Sequence, residues 1–155
     1  MPIFKSDEFL LNILHKKRVL GIDPGTKTLG IAVSNSDLTV ASPIFTIQRK
    51  RLKSDLNQLL EVLKKYDVTG IIIGWPLNMD GSIGPRCDSV RDFVKSLLEV
   101  IDIPILLQDE RMSTMAVEKP MIKADLTRKK RNSKTDQLAA CWILQTALDG
   151  LPKRM

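Results

Sequence analysis

The sequence predicts an α/β protein whose sheet begins with an antiparallel meander and continues with parallel strands. Three observations favour this fold. Apolar runs separated by short turns follow residue 17, and three isoleucines, Ile71 to Ile73, stand between two glycines. Amphipathic segments with a helical period of about 3.6 residues separate the later runs. Strands that alternate with helices in this way form a sheet on which the helices pack.

Composition indicates one globular domain. The chain has 155 residues, of which 43% are hydrophobic and 27% charged, and its net charge is +6. A basic balance fits a polyanionic partner such as nucleic acid. Cys87 and Cys141 have no metal-binding spacing, which predicts free thiols in a reducing compartment. Since neither a membrane span nor a signal peptide is recognisable, we expect a cytoplasmic protein with no membrane partner.

The opening strands place a carboxylate at a turn. The first strand, from residue 18, ends in Asp23, and the Pro-Gly pair after it turns the chain. Residues 29–33 are the second strand, in which Gly30 leaves room for close backbone approach. Residues 40–48 are the third, where Pro43 predicts an edge strand or a bulge. Residues 6–16 before the meander could form an amphipathic helix.

A basic run and two helices follow the meander. Arg49, Lys50, Arg51 and Lys53 either contact phosphate or form a solvated approach to a helix that begins at Ser54. After the isoleucine strand comes a loop rich in turn formers, where Asn78 and Ser82 either shape the turn or meet a nucleic-acid backbone. The next helix is predicted over residues 86–100.

The last third contains a strand, a basic segment and a long helix. Residues 104–108 are a strand that ends in Asp109 and Glu110. Residues 123–134 carry six cationic side chains and are interpreted as a basic surface loop, either solvated or gripping phosphate. A capping box at residues 133–136 predicts that the final helix begins there, and Gly150 ends it.

Three acids are candidates for one site: Asp23, Glu110 and Asp136. Each has a structural explanation of its own, as a turn former, a solvated strand end and a helix cap. If they converge, their carboxylates suit a hard divalent cation such as Mg²⁺. Such ions promote phosphodiester cleavage, and the basic surface would hold the nucleic acid.

Four motifs in order, GIDPGTKTLGIAVSN, GWPLNMDGSIGPR, DERMST and KTDQLAACWILQTALD, resemble the YqgF/RuvX family of ribonuclease-H-like nucleases. The resemblance covers residues 18–150, which leaves residues 1–17 as an N-terminal extension and 151–155 as a tail. It implies a mixed five-stranded sheet with an antiparallel three-strand meander, flanked by helices.

Carried over to this chain, the family's catalytic and metal-binding acids fall on Asp23, Glu110 and Asp136, which would hold Mg²⁺ or Mn²⁺. Asp109 is a second-rank neighbour, because side chains alternate along a strand. The residues expected to contact nucleic acid are Asn78, Ser82, Arg111, Thr114, Lys129, Lys130 and Arg131.

The function that the resemblance implies is a metal-dependent nuclease that processes the 5′ end of the precursor of 16S ribosomal RNA, with ribosomal precursor particles as possible partners. Cleavage of branched DNA, as by a Holliday junction resolvase, is the alternative. A non-catalytic RNA-binding assembly factor would use the basic residues equally well. An ATP-binding domain of the actin and sugar-kinase type would need a second lobe, which 155 residues do not provide.

Overall fold

The computed structural model describes residues 3–4, 9, 17–78, 80–109 and 128–151, and for residues 3–4 and 128–136 the backbone only. Six strands and three helices lie in these ranges. They are β1 (Ile3–Phe4), β2 (Arg18–Pro24), β3 (Thr28–Ser34), β4 (Ala41–Gln48), α1 (Leu52–Lys65), β5 (Val68–Trp75), α2 (Pro85–Leu98), β6 (Ile105–Asp109) and α3 (Arg128–Gly150). None of these described helices is long and apolar enough to cross a membrane.

The strands form one mixed sheet in the order β1-β6-β5-β2-β3-β4. The meander β2-β3-β4 is antiparallel, whereas β5 and β6 run parallel to β2. The predicted five-stranded sheet is therefore confirmed, and the two-residue β1 extends it beside β6. Pro43 lies in the edge strand β4, opposite a register shift between Ile31 and Ala32. Both alternatives predicted for Pro43, an edge strand and a bulge, are therefore confirmed.

Side-chain alternation divides the sheet into two faces with separate cores. On the first, which we call the helix-pair face, Leu20, Ile22 and Ile73 pack with residues of α1 and α2. On the second, the α3 face, Val19 and Ile72 pack with residues of α3. Burial of the apolar stripe of each helix against a strand face supplies most of the stability of such a fold.

Helix α3 packs closely against the sheet at Gly21. A Cβ atom at this position would lie 2.7 Å from the Leu144 Cβ and 3.1 Å from the Ala140 carbonyl oxygen. Further along α3, the Gln145 side chain accepts a hydrogen bond from the Ala41 N–H and donates one to the Thr39 carbonyl, both 2.9 Å. The second contact reaches the turn between β3 and β4, at the end of the sheet opposite Asp23.

Two helix starts differ from the predictions, and α2 ends at Leu98, two residues before its predicted end. Helix α1 begins at Leu52 with Arg51 as N-cap, so Ser54 is not the cap. Helix α3 begins at Arg128, so residues 128–134 are helical and the predicted cap at 133–136 is wrong. Lysine and arginine are good helix formers, and a polar segment continues a helix without an apolar stripe of its own. Of the helix predicted over residues 6–16, only Phe9 is described, and it is fully buried.

Candidate active site

Asp23 lies near the carboxyl end of β2, in the middle of the sheet, and is half-buried. Its partner across the antiparallel pair with β3 is Gly30. On the other side, Ile22 pairs with Ile73 of β5, which brings Gly74 beside Asp23. The carboxylate is thus flanked in both neighbouring strands by residues without a side chain. Glycine in a strand marks positions where a ligand or another part of the backbone can approach closely.

The face of the sheet that each candidate occupies follows from strand alternation. In β2, Val19 belongs to the α3 core and Gly21 meets Leu144, so Asp23, two positions further, is on the α3 face. In β6, Leu107 packs on the helix-pair face, and Asp109 belongs to the same alternate set. Asp109 and Asp23 are therefore on opposite faces of the sheet. This agrees with the alternation of side chains along a strand, for which Asp109 was ranked second.

The side chains of the remaining predicted acids, and of most residues predicted to contact phosphate, lie outside the described set. Glu110, Arg111 and Thr114 lie outside the described residues. Asp136 is in α3, four residues before Ala140, and its side chain is outside the described set, as are those of Lys129, Lys130 and Arg131. Within the described side chains, no three acidic, thiol or imidazole groups come together as a metal site.

Asn78 and Ser82 close a turn with each other. The Asn78 N–H donates to the Ser82 carbonyl at 2.9 Å, and the Asn78 amide donates to the Ser82 hydroxyl at 3.0 Å. Asp80 accepts from both the backbone and the hydroxyl of Ser82. Gly81 has a φ of 89°, which suits glycine at this turn. These contacts give both residues a role in shaping the loop, and their contact with nucleic acid stays a prediction.

Two arginines that the sequence analysis did not place at the site hold the turn after Asp23. Arg49 Nη1 donates to the Gly25 carbonyl at 2.7 Å, and Arg86 Nη2 donates to the Pro24 carbonyl at 3.1 Å. Arg49 comes from the end of the meander and Arg86 from the first turn of α2. The basic run suggested a phosphate contact for Arg49, whereas Arg86 was marked only by its place in a family motif. Together they fix the backbone that follows the candidate carboxylate.

The two cysteines are free thiols, as predicted. Cys87 is buried and its Sγ donates to the Pro76 carbonyl at 3.4 Å, while Cys141 Sγ donates to the Ala41 carbonyl at 3.3 Å. Desolvation by burial raises the pKa of the Cys141 thiol. A thiol with a raised pKa is a poor nucleophile at neutral pH.

Comparison with known proteins gives a consistent result. The family model RuvX, described as Holliday junction resolvase, matches residues 17–150. A protein of Ruegeria sp. (strain TM1040) named "Putative pre-16S rRNA nuclease" is 46% identical over 143 residues, which are 92% of this chain and 91% of the relative. A protein of the same name from Paramagnetospirillum magneticum is 44% identical over 149 residues, 96% of either chain.

Two solved structures that share the fold are those of Holliday junction resolvases. Thermus thermophilus RuvC in complex with a Holliday junction substrate is 15% identical, with 87% of this chain and 98% of RuvC covered and a TM-score of 0.52. The fowlpox virus Holliday junction resolvase is 17% identical, with 86% and 99% covered and a TM-score of 0.51. At these identities the likeness concerns the fold, and it confirms the predicted ribonuclease-H-like architecture. The family match to almost the entire chain and relatives of 46% and 44% identity over nearly their full lengths show that this chain belongs to the RuvX family of nucleases.

Proposed function

We propose that this chain is a metal-dependent nuclease whose site is built on Asp23, Glu110 and Asp136. The observation that carries the proposal is the position of Asp23, near the carboxyl end of a central strand, on the α3 face and flanked by Gly30 and Gly74. Ligand sites of open α/β sheets gather at this edge. A half-buried carboxylate at this edge is the kind of oxygen ligand that a hard cation takes.

The geometry of the neighbouring elements supports convergence of the other two acids. Ala140 lies against Gly21, and Asp136 precedes it by one helical turn, about 6 Å along the axis. Asp23 lies two residues beyond Gly21, about 6.6 Å along β2. Because Gln145 of α3 contacts the opposite end of the sheet, the N-terminal part of α3 leads toward Asp23.

The strand β6 supports the same assignment for Glu110. Leu106 packs in the α3 core, so Gln108 belongs to the alternate set on that face. Glu110 is the next member of this set in the sequence. We therefore propose Glu110, rather than Asp109, as the second ligand.

The donor set fits a hard cation, since it consists of carboxylate oxygens. Mg²⁺ or Mn²⁺ supplies, when bound, an activated water and charge neutralisation at the scissile phosphate. The acids orient the ion, and the arginine-held turn keeps Asp23 in place while substrate binds. Lys129, Lys130 and Arg131, together with Arg111 and Thr114, would contact the phosphates of the strand without reading its sequence.

The substrate class proposed first is the precursor of 16S ribosomal RNA, because that is the substrate in the names of the relatives. Cleavage at its 5′ end is what the family resemblance of the sequence implies, and the cytoplasm is the compartment expected from the sequence. Ribosomal precursor particles are then the proposed partners. Branched DNA is the second candidate, because the family model is described as Holliday junction resolvase.

Cleavage of a 5′-extended 16S precursor by the purified protein, with Mn²⁺ or with chelator, tests the proposal. We expect metal-dependent trimming that Asp23→Asn lowers at least about a hundredfold. Asp37→Asn is the matched control, because this exposed acid lies in the turn between β3 and β4 at the far end of the sheet.

Three outcomes would change the proposal. If Asp23→Asn cleaves as fast as wild type, the proposed metal site is wrong. If a four-way DNA junction is cut while RNA stays intact, the site stands and the substrate is branched DNA. If RNA is bound and neither substrate is cut, a non-catalytic assembly factor replaces the nuclease.

A further inference from the structure

A basic cleft opens beside the turn that follows Asp23, on the helix-pair face. It has a volume of about 370 Å³. Its polar lining consists of Thr26, Arg49, Lys50, Asp55, Arg86 and Ser89. Three cationic side chains against one carboxylate leave the lining positive. A concave positive surface with hydroxyl groups at its wall has the chemistry of a phosphate site.

The two guanidinium groups in this cleft are held in place before any ligand arrives. Arg49 and Arg86 each donate to a backbone carbonyl of the turn, at 2.7 and 3.1 Å. Arg49 also stacks on Phe93, with 5.5 Å between the guanidinium carbon and the ring centre. A guanidinium has five N–H donors in a fixed fork, so one carbonyl contact leaves capacity for an anion. Since the side chains are already ordered, binding loses less side-chain entropy.

The single acid of the lining offsets the charge of one arginine only, which leaves two of the three cationic side chains uncompensated within the lining. Asp55 is buried, with 2% of its surface exposed, and accepts the Lys50 N–H at 3.1 Å. Its other oxygen lies 3.8 Å from Arg49 Nε. The carboxylate is thus turned to the protein, where it supports Arg49 and the start of α1. The Lys50 side chain itself is exposed at the rim.

The N-termini of α1 and α2 lie at the rim of the cleft and add to its positive electrostatic potential. Arg51 is the N-cap of α1 and Gly84 that of α2, and in both the cap makes no side-chain hydrogen bond to its helix. The first backbone N–H groups of a helix carry a partial positive charge. Leu52 and Arg86, from these first turns, both line the cleft.

We propose that this cleft binds a backbone phosphate of the nucleic-acid strand next to the scissile phosphate. The inference rests on the proposed nuclease function. Asp23 faces α3 on one side of the sheet edge, and the cleft lies on the other side of the adjoining Pro24–Gly25 turn. A strand that crosses this edge reaches both. The cleft offers cations and hydroxyls, while its aromatic ring, Phe93, is covered by Arg49, so it takes a phosphate rather than a base.

The test compares Lys50→Gln with Lys53→Gln. Both remove one exposed lysine charge from neighbouring positions, but only Lys50 lines the cleft, and neither side chain supports the turn. Binding of a fluorescein-labelled single-stranded RNA is measured by anisotropy in chelator over a salt series. We expect Lys50→Gln to weaken binding roughly five- to tenfold. The slope of log K against log salt should become shallower by about 0.7, the value for one phosphate contact in a single strand.

The outcomes separate this inference from the proposed function. If the two variants bind RNA with equal affinity and salt slope, the phosphate site is overturned even when wild type cleaves RNA. If Lys50→Gln alone weakens binding while wild type does not cleave, the cleft stands and the nuclease proposal fails. If pyrophosphate binds with a dependence on Lys50 but RNA affinity has none, the cleft takes free phosphates and the strand proposal is wrong.

Discussion

Replacing Gly21 with alanine should move helix α3 away from the sheet. The added Cβ would lie 2.7 Å from the Leu144 Cβ and 3.1 Å from the Ala140 carbonyl oxygen. The Leu144 Cβ is bonded directly to the backbone, and the Ala140 carbonyl oxygen is a backbone atom. Neither can therefore move away by rotation of a side chain. Carbon atoms in contact prefer about 3.5–4.0 Å. The helix and β2 must therefore separate by about 1 Å.

The expected destabilisation is the difference of two terms. Overpacking a core position costs about 1–3 kcal/mol. Alanine recovers about 0.5–1 kcal/mol, because glycine loses more conformational freedom on folding. The difference spans about 0–2.5 kcal/mol, and we expect its upper part, about 1–2 kcal/mol, because neither contacted atom can move aside. This corresponds to a drop in Tm of roughly 2–8 °C in a domain of this size.

Thermal unfolding followed by circular dichroism measures this loss. Gly150→Ala is the matched control, because a Cβ at the last residue of α3 meets nothing within 4 Å. We expect its Tm to equal that of wild type or to rise slightly. A Gly21→Ala protein that melts within about 1 °C of wild type would refute the close packing of α3 on β2. Under the proposed function, a shift of about 1 Å between Asp136 and Asp23 should also lower cleavage by about a hundredfold.

Three smaller perturbations test other parts of the structure. Asp55→Asn should lower the free energy of unfolding in urea by about 1–2 kcal/mol, because Arg49 loses its buried counter-charge; an unchanged midpoint would contradict the pairing. Ser34→Ala should cost about 1–3 kcal/mol and speed hydrogen exchange at Val19, whose N–H donates to the Ser34 hydroxyl at 2.9 Å. Cys141 should react with iodoacetamide at half its limiting rate only at a higher pH than a free cysteine, because burial raises its pKa. The stability that its protonated form contributes is kept below the pKa of a free cysteine and lost as the pH rises through the raised pKa. Half-maximal reaction at the pH of a free cysteine, or below it, would contradict the burial.

The elements with local patterns were predictable from the sequence. Three isoleucines between glycines predicted a buried parallel strand, and β5 is paired on both sides by parallel strands. Helix α2 begins within one residue of its predicted start, because its apolar positions repeat with the helical period. The predicted start of α3 was wrong because residues 128–134 have no apolar stripe. Their high charge was interpreted as that of a surface loop.

Contacts between distant parts of the chain were not predictable. The position of Asp23 follows from the strand that precedes it, so a local pattern was sufficient. The bond from Arg86 to Pro24 joins residues 62 apart, and nothing near either residue indicates it. The same holds for β1, whose two residues pair with β6 about a hundred residues later in the chain.

Under the proposed function, the arginine-held turn fixes the backbone that carries the Asp23 carboxylate. A carboxylate that holds a cation needs a fixed orientation, which supporting hydrogen bonds around it supply. Here the fixing contacts are made one and two residues later, to the carbonyls of Pro24 and Gly25, by arginines that lie at the cleft on the helix-pair face. The two arginines thus order the backbone after Asp23 from the face opposite the α3 core.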